Sequence, residues 1–229
     1  MKVNIWTLTA AALVMVSLAA VFFINPAGQI GECRPKPGHI FIDCVDPAWQ
    51  GISSWELRHD TGAESFTTRG DQSDLVQWQI VDGGGDHGKV IDVHYSEVPA
   101  NGRLRFHVNG SRRVADMSAY ASGALEFDLK VLDWGTSERV LSVRVVCVYP
   151  CSSEAELIRV PDTDTWHRVH IPIARLIDSG LDITNVDIAL AISPTWNRMQ
   201  GVHFQLDNIR WVAGDDQSST ATNLDSSRR

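Results

Sequence analysis

The sequence is short of positive charge: 20 lysines and arginines stand against 28 aspartates and glutamates, a formal net charge of −8. A nucleic acid or an anionic membrane surface needs a basic field to offset its phosphates, so neither is expected as a general partner. Heptads and long internal repeats are missing, which excludes a coiled coil or a solenoid. No Gly-x-Ser-x-Gly elbow and no His-Glu-x-x-His spacing occurs, so the commonest hydrolase and metalloprotease signatures are absent. The glycine-rich stretch Val81-Asp82-Gly83-Gly84-Gly85-Asp86-His87-Gly88 lacks the Lys-Ser or Lys-Thr that would make it a phosphate loop, and it reads as a turn between strands. Cysteine is scarce, with four in the chain, and neither Cys147-Val148-Tyr149-Pro150-Cys151 nor the step from Cys33 to Cys44 matches the double knuckle of a zinc site.

What is present points to an exported all-β domain. Hydrophobic residues make up 44% of the chain and charged residues 21%, enough apolar surface for one buried core. Residues 5–24 are uncharged and apolar, long enough as a helix to span a hydrocarbon core of ~30 Å. Phe22-Phe23-Ile24-Asn25-Pro26 offers no clean small-x-small cleavage site, so an uncleaved membrane anchor is preferred over a removed signal peptide. Export brings the chain to an oxidising compartment, the periplasm or beyond, where paired cysteines persist. Four cysteines allow three connectivities, of which Cys33 with Cys44 and Cys147 with Cys151 is the preferred one.

From residue 38 onward, glycine, proline, asparagine and aspartate clusters recur every eight to twelve residues between short β-branched and aromatic runs. Strands are expected at 39–43, 76–81, 90–95, 104–108, 124–131, 140–148, 157–160, 168–171, 186–192 and 203–212, with one short helix at 173–178. Leu125, Phe127, Leu129 and Val131 alternate with Glu126, Asp128, Lys130 and Leu132, the period of a strand with one face in a core. The organisation is therefore an anchor or signal segment at 1–30, a disulfide-bearing linker and first strand at 31–48, a β-sandwich at 49–213, and a polar, disordered tail at 214–229.

Five phrases follow one another in order: WQIVDGGGDHGKVIDV at 78–93, DMSAY at 116–120, ALEFDLKV at 124–131, WHRVHIPI at 166–173 and FQLDNIRW at 204–211. This series resembles the galactose-binding-like jelly-roll domains found as carbohydrate-binding modules, and most closely the C-terminal domain of bacterial exo-β-glucanases of the family-three glycoside hydrolases. The likeness runs from Trp49 to Val212. It implies an all-β, two-sheet antiparallel jelly-roll sandwich whose first and last strands are adjacent, with a structural calcium between them and a sugar-binding face or loop end. The hydrolase's catalytic domains have no counterpart here. On that likeness Asp207 is the closing-strand calcium ligand, with Asp43 and Glu56, and also Asp46 and Asp60, as candidates on the opening side.

Sugar recognition needs an aromatic ring against the apolar face of a pyranose and polar groups for its hydroxyls. Trp78, Trp166 and Trp211 are read as core. Trp134 and Trp196 lie in loops and are the candidate stacking platforms, while Arg103, Arg105, His107 and Asn109 share one strand face that Arg144 joins. The preferred function is a non-catalytic module that binds a β-glucan-like poly- or oligosaccharide outside the cytoplasm, tethered by the N-terminal helix or secreted. The alternatives are a protein-interaction sandwich without a sugar site and, third, a small glycoside hydrolase using a carboxylate pair such as Glu126 and Asp128.

Overall fold

The computed structural model describes residues 33–108 and 114–214. The apolar run at 5–24, Asn109 and the tail past residue 214 lie outside the described residues. Among the described residues no helix is long and apolar enough to cross a membrane.

Two antiparallel sheets form a sandwich. The strands are β1 His39–Ile42, β2 Cys44–Val45, β3 Trp49–Arg58, β4 Glu64–Thr67, β5 Val76–Asp82, β6 Lys89–Tyr95, β7 Ala100–Val108, β8 Ala124–Trp134, β9 Leu141–Cys147, β10 Glu156–Ile158, β11 His167–Pro172, β12 Val186–Pro194 and β13 Val202–Val212. Among the described residues there is one α-helix, α1 at Ile173–Asp178, which follows Pro172. One sheet has seven strands with β13 as its spine: β13 pairs with β8 on one side and with β6 and then β1 on the other, while β11, β2 and β5 complete the margins. The second sheet has six strands in the order β10-β9-β12-β7-β3-β4.

The alternation in β8 does what its period requires. Leu125, Phe127, Leu129 and Val131 are fully buried between the sheets, where they meet Leu104, Phe106, Val143, Val145 and Ile192 of the other sheet in one continuous core. Both expected disulfides are formed, Cys33–Cys44 with Cα atoms 6.1 Å apart and Cys147–Cys151 with Cα atoms 5.0 Å apart. Bridged pairs of this kind are characteristic of chains that fold in an oxidising compartment.

All ten expected strands and the helix are present, with boundaries shifted by a few residues. Three further strands were not expected, and one of them, β3, has a physical reason for escaping notice. Its inward side carries Ser54 and Glu56, both buried, while its outward side carries the half-buried Trp55. Polar residues in and an aromatic out is the reverse of the usual pattern, and a register irregularity between Trp49 and Gly51 breaks the period as well.

Candidate functional site

The outer face of the six-stranded sheet gathers side chains from all six strands. Residues 103, 105 and 107 of β7 point outward because Leu104 and Phe106 point into the core. Cross-strand register then sets Arg103 beside Trp55 of β3, which in turn lies opposite Phe66 of β4. On the other side Arg105 is level with Ala191 of β12, and Ala191 with Arg144 of β9.

The loop after β12 completes the arrangement. Trp196, 40% exposed, stacks nearly parallel to Trp55, with ring centroids 6.1 Å apart and 18° between the planes. The Arg103 guanidinium carbon lies 5.4 Å from the Trp55 centroid and 5.2 Å from the Trp196 centroid, a cation–π contact with both rings. Trp55 donates its indole N–H to Glu64 Oε2 at 3.1 Å, which fixes the ring. The loop is pinned from below: buried Asn101 accepts from the Asn197 backbone N–H at 2.6 Å and donates to Asn197 Oδ1 at 2.8 Å. Asn197 itself adopts a left-handed φ of 65°, which asparagine tolerates. Trp196 is therefore held on a built loop rather than a loose one.

Beside this aromatic pair runs a cleft of about 390 Å³, bordered by Arg103, Arg144, Arg159, Leu157 and Trp196 over the small residues Ser142, Ala191 and Ser193. Small residues at the strand centres leave the room that the arginines surround. Burial, then the neighbouring Arg144 charge, holds the Arg103 guanidinium below its ordinary range. Burial, then the Arg103 charge, does the same to Arg105, and burial with the Arg105 charge lowers His107. The Arg105 guanidinium carbon sits 5.0 Å from the centroid of the exposed Phe66 ring.

A second cluster occupies the seven-stranded sheet. Asn208 has a φ of 51°, and the β13–β8 register shifts between Asp207 and Arg210; this bulge directs Asn208 Nδ2 to Asp128 Oδ2 at 2.7 Å and Asp207 Oδ2 at 3.0 Å. The turn before β6 presents His87, whose Nδ1 lies 2.9 Å from Asp207 Oδ2 and whose ring stacks on Trp166 at 4.0 Å. Arg168 donates to Asp128 from Nε at 2.6 Å and from Nη2 at 3.3 Å. Burial pushes the Asp207 carboxyl above the usual range, against the hydrogen bond from His87.

His87, Asp128 and Asp207 offer three ligand atoms close together, but the set does not fit calcium. Calcium takes six to eight oxygens, whereas these carboxyl oxygens already accept N–H bonds from Arg168, Asn208 and His87. The three ligands named from the sequence are not brought together either. Asp43 accepts from the Lys89 backbone N–H at 2.7 Å, and Glu56 is taken up by the backbone N–H groups of Leu75 and Val76 on the other sheet. Chelator is accordingly expected to leave the melting temperature unchanged in a calorimetric scan; a drop of several degrees reversed by calcium would overturn that reading.

Of the sugar-binding residues named from the sequence, Arg103, Arg105, His107, Arg144 and Trp196 share one face, and Trp134 does not join them. Trp134 ends β8 on the other sheet and is buried in the core, 8% exposed, because β8 runs three residues further than its alternation indicated. Trp211 is in the core and Trp78 packs against it, but Trp166 is only half-buried and covers His87 rather than the core. The residues that sequence reasoning missed are Trp55, Phe66 and Arg159, together with the small cleft floor. Trp55 was legible only through its cross-strand partner Arg103. The carboxylate pair Glu126 and Asp128 is ion-paired to Arg210 and Arg168, so both acids serve the sheet.

No curated protein matches the chain. Among solved structures, the exo-1,3/1,4-β-glucanase ExoP from a Pseudoalteromonas species superposes with a TM-score of 0.51 at 15% identity, over 81% of this chain and 22% of the glucanase. The chain thus spans about a fifth of that enzyme's length. A family 30 carbohydrate-binding module superposes with a TM-score of 0.50 at 16% identity, over 74% of this chain and 86% of the module. The extra C-terminal domain of the same glucanase gives 0.49 at 14% identity, over 78% of this chain and 95% of that domain. A family model described as galactose-binding domain-like matches residues 92–211, just over half of the sequence. The chain belongs to this galactose-binding domain-like family.

Proposed function

We propose that the chain is a non-catalytic carbohydrate-binding sandwich that works outside the cytoplasm and takes a poly- or oligosaccharide of the β-glucan type across the outer face of its six-stranded sheet. The observation that carries this reading is the parallel Trp55–Trp196 pair with Arg103 against both rings, half-open to solvent on a pinned loop beside a polar cleft. A large aromatic held exposed has lost the burial that would otherwise account for it, and a sugar ring restores that contact while the guanidinium groups bond its hydroxyls. The solved relatives include a carbohydrate-binding module, which supports the class of ligand. The apolar run at 5–24 would keep the module at a membrane surface.

The test is fluorescence titration of the full chain with oligosaccharides of mixed-linkage β-glucan, laminarin and galactan. A saturable shift is expected, with Trp196→Ala and Trp55→Ala each weakening binding about 10-fold, equivalent to ~1.4 kcal/mol. Binding unchanged in both variants would place the site elsewhere. Absence of binding to every glycan by a folded chain would favour a protein-interaction sandwich, for which the exposed Val148 and Tyr149 in the Cys147–Cys151 loop are the candidate contacts.

A further inference from the structure

Six arginines, Arg58, Arg69, Arg168, Arg175, Arg198 and Arg210, each meet a carboxylate. Arg103, Arg105, Arg144 and Arg159 meet none among the described residues, nor do Arg34 and Arg139, and the first four lie together on the outer face of the six-stranded sheet or at its cleft. The acids near them do not neutralise them. Glu138, at the rim of the cleft, is held by Arg198 at 3.0 Å. Asp187 acts on Arg105 and His107 through its charge without bonding either. The Nε atom of Arg105 is buried and has no hydrogen-bond partner, and the same is true of Nε2 of His107.

A protein with a net charge of −8 has acids to spare for its arginines. Gathering guanidinium groups into one half-buried face without counter-charge costs desolvation and mutual repulsion, and the lowered pKa of Arg103 and Arg105 reflects both. A neutral sugar's hydroxyls return little of that cost. A carboxylate or a sulfate ester returns more, because a planar guanidinium bonds either through two parallel N–H groups. The cleft volume of about 390 Å³ falls in the usual range of ligand pockets, ~300–1,000 Å³.

We infer that the sugar chain bound here is an acidic polysaccharide, with a carboxylate or sulfate group seated among Arg103, Arg144 and Arg159 while an adjoining pyranose stacks on Trp196. The inference rests on the carbohydrate-binding reading above and departs from it in one respect, an acidic chain in place of the neutral β-glucan type. The protein's overall negative charge opposes loose attraction to any polyanion, so this preference depends on the local cluster.

The experiment is a binding titration of the full chain, at low and at high salt, against polygalacturonate as the uronate probe, κ-carrageenan as the sulfate probe and barley β-glucan as the neutral one. At least one acidic probe is expected to bind about 10-fold more tightly than barley β-glucan, with an advantage that shrinks as salt rises. Whichever acidic probe wins names the anionic group. Arg144→Gln combined with Arg159→Gln should abolish the preference by weakening the acidic probe far more than barley β-glucan, and Trp196→Ala should weaken every ligand that binds. Equal or tighter binding of the neutral glucan overturns the inference and leaves the carbohydrate-binding reading standing. Acidic binding that survives the double arginine substitution also overturns it. Failure of all three probes to bind defeats the reading and the inference together.

Discussion

Replacing Glu56 with alanine is expected to destabilise the fold by about 3 kcal/mol or more, because three buried donors lose their acceptor at once. Glu56 projects into the interior from β3, 3% exposed, and its Oε1 accepts from the backbone N–H of Leu75 at 3.0 Å and of Val76 at 2.8 Å, and from the Ser73 hydroxyl. These are the N–H groups at the start of β5, so one side chain of the six-stranded sheet fixes where a strand of the seven-stranded sheet begins. Donors buried this deeply have no solvent to turn to when the carboxyl is removed. A domain of this size loses about 2–4 °C of melting temperature per kcal/mol, so a thermal melt should fall by roughly 6–12 °C. Glu56→Gln keeps an acceptor oxygen in the same place and should recover most of the loss. If Glu56→Ala melted within a degree or two of the parent, the carboxyl would not be organising that turn.

The second large effect concerns Asp128 and depends on pH. Burial opposes ionisation of Asp128, but the hydrogen bonds from Arg168 and Asn208 and the Arg168 charge outweigh it, and the carboxyl sits below its ordinary value. Glu126 is shifted the same way: burial is overcome by its bonds to Arg210 and His170. A carboxylate whose pKa is lowered by folding contributes stability that is fully present above its unfolded value, about 3.9 for aspartate. That contribution is lost as pH falls through the lower folded value. Asp128→Asn should therefore cost about 2 kcal/mol at neutral pH, a figure kept modest because Arg168 is half-exposed to solvent. The difference between variant and parent should shrink below pH ~4 as the parent's own carboxylates take up protons. A gap in denaturation midpoint that stays constant from pH 7 down to pH 3 would show that the ionised form plays no part.

Both residues illustrate what the sequence could and could not convey. Strands with apolar residues on one side, such as β8 with Leu125 to Val131, declare themselves by period, and the ordered phrases from Trp78 to Trp211 carried the fold. Asp128 sits in that same legible strand, yet nothing local distinguishes it from a solvated acid; its burial depends on Arg168 from β11 and on the bulge at Asn208. Trp55 was hidden for the converse reason, since β3 turns its aromatic outward and its acid inward. The arginine face was half legible: the alternation of Arg103, Arg105 and His107 placed them together with Arg144, but only the cleft added Arg159, and only the ion pairs made elsewhere revealed that these four guanidinium groups go without. Trp134 was misplaced because a strand end was mistaken for a loop.

The backbone N–H of Trp211 donates to the carbonyl of Gly38 at 2.7 Å, so the chain enters and leaves the sandwich side by side where β1 pairs with β13. A unit with neighbouring ends can be set into a surface loop of a host protein, or strung in tandem, without prying either partner open. The face proposed to bind sugar lies on the opposite layer, so such a graft would leave that face clear of the splice.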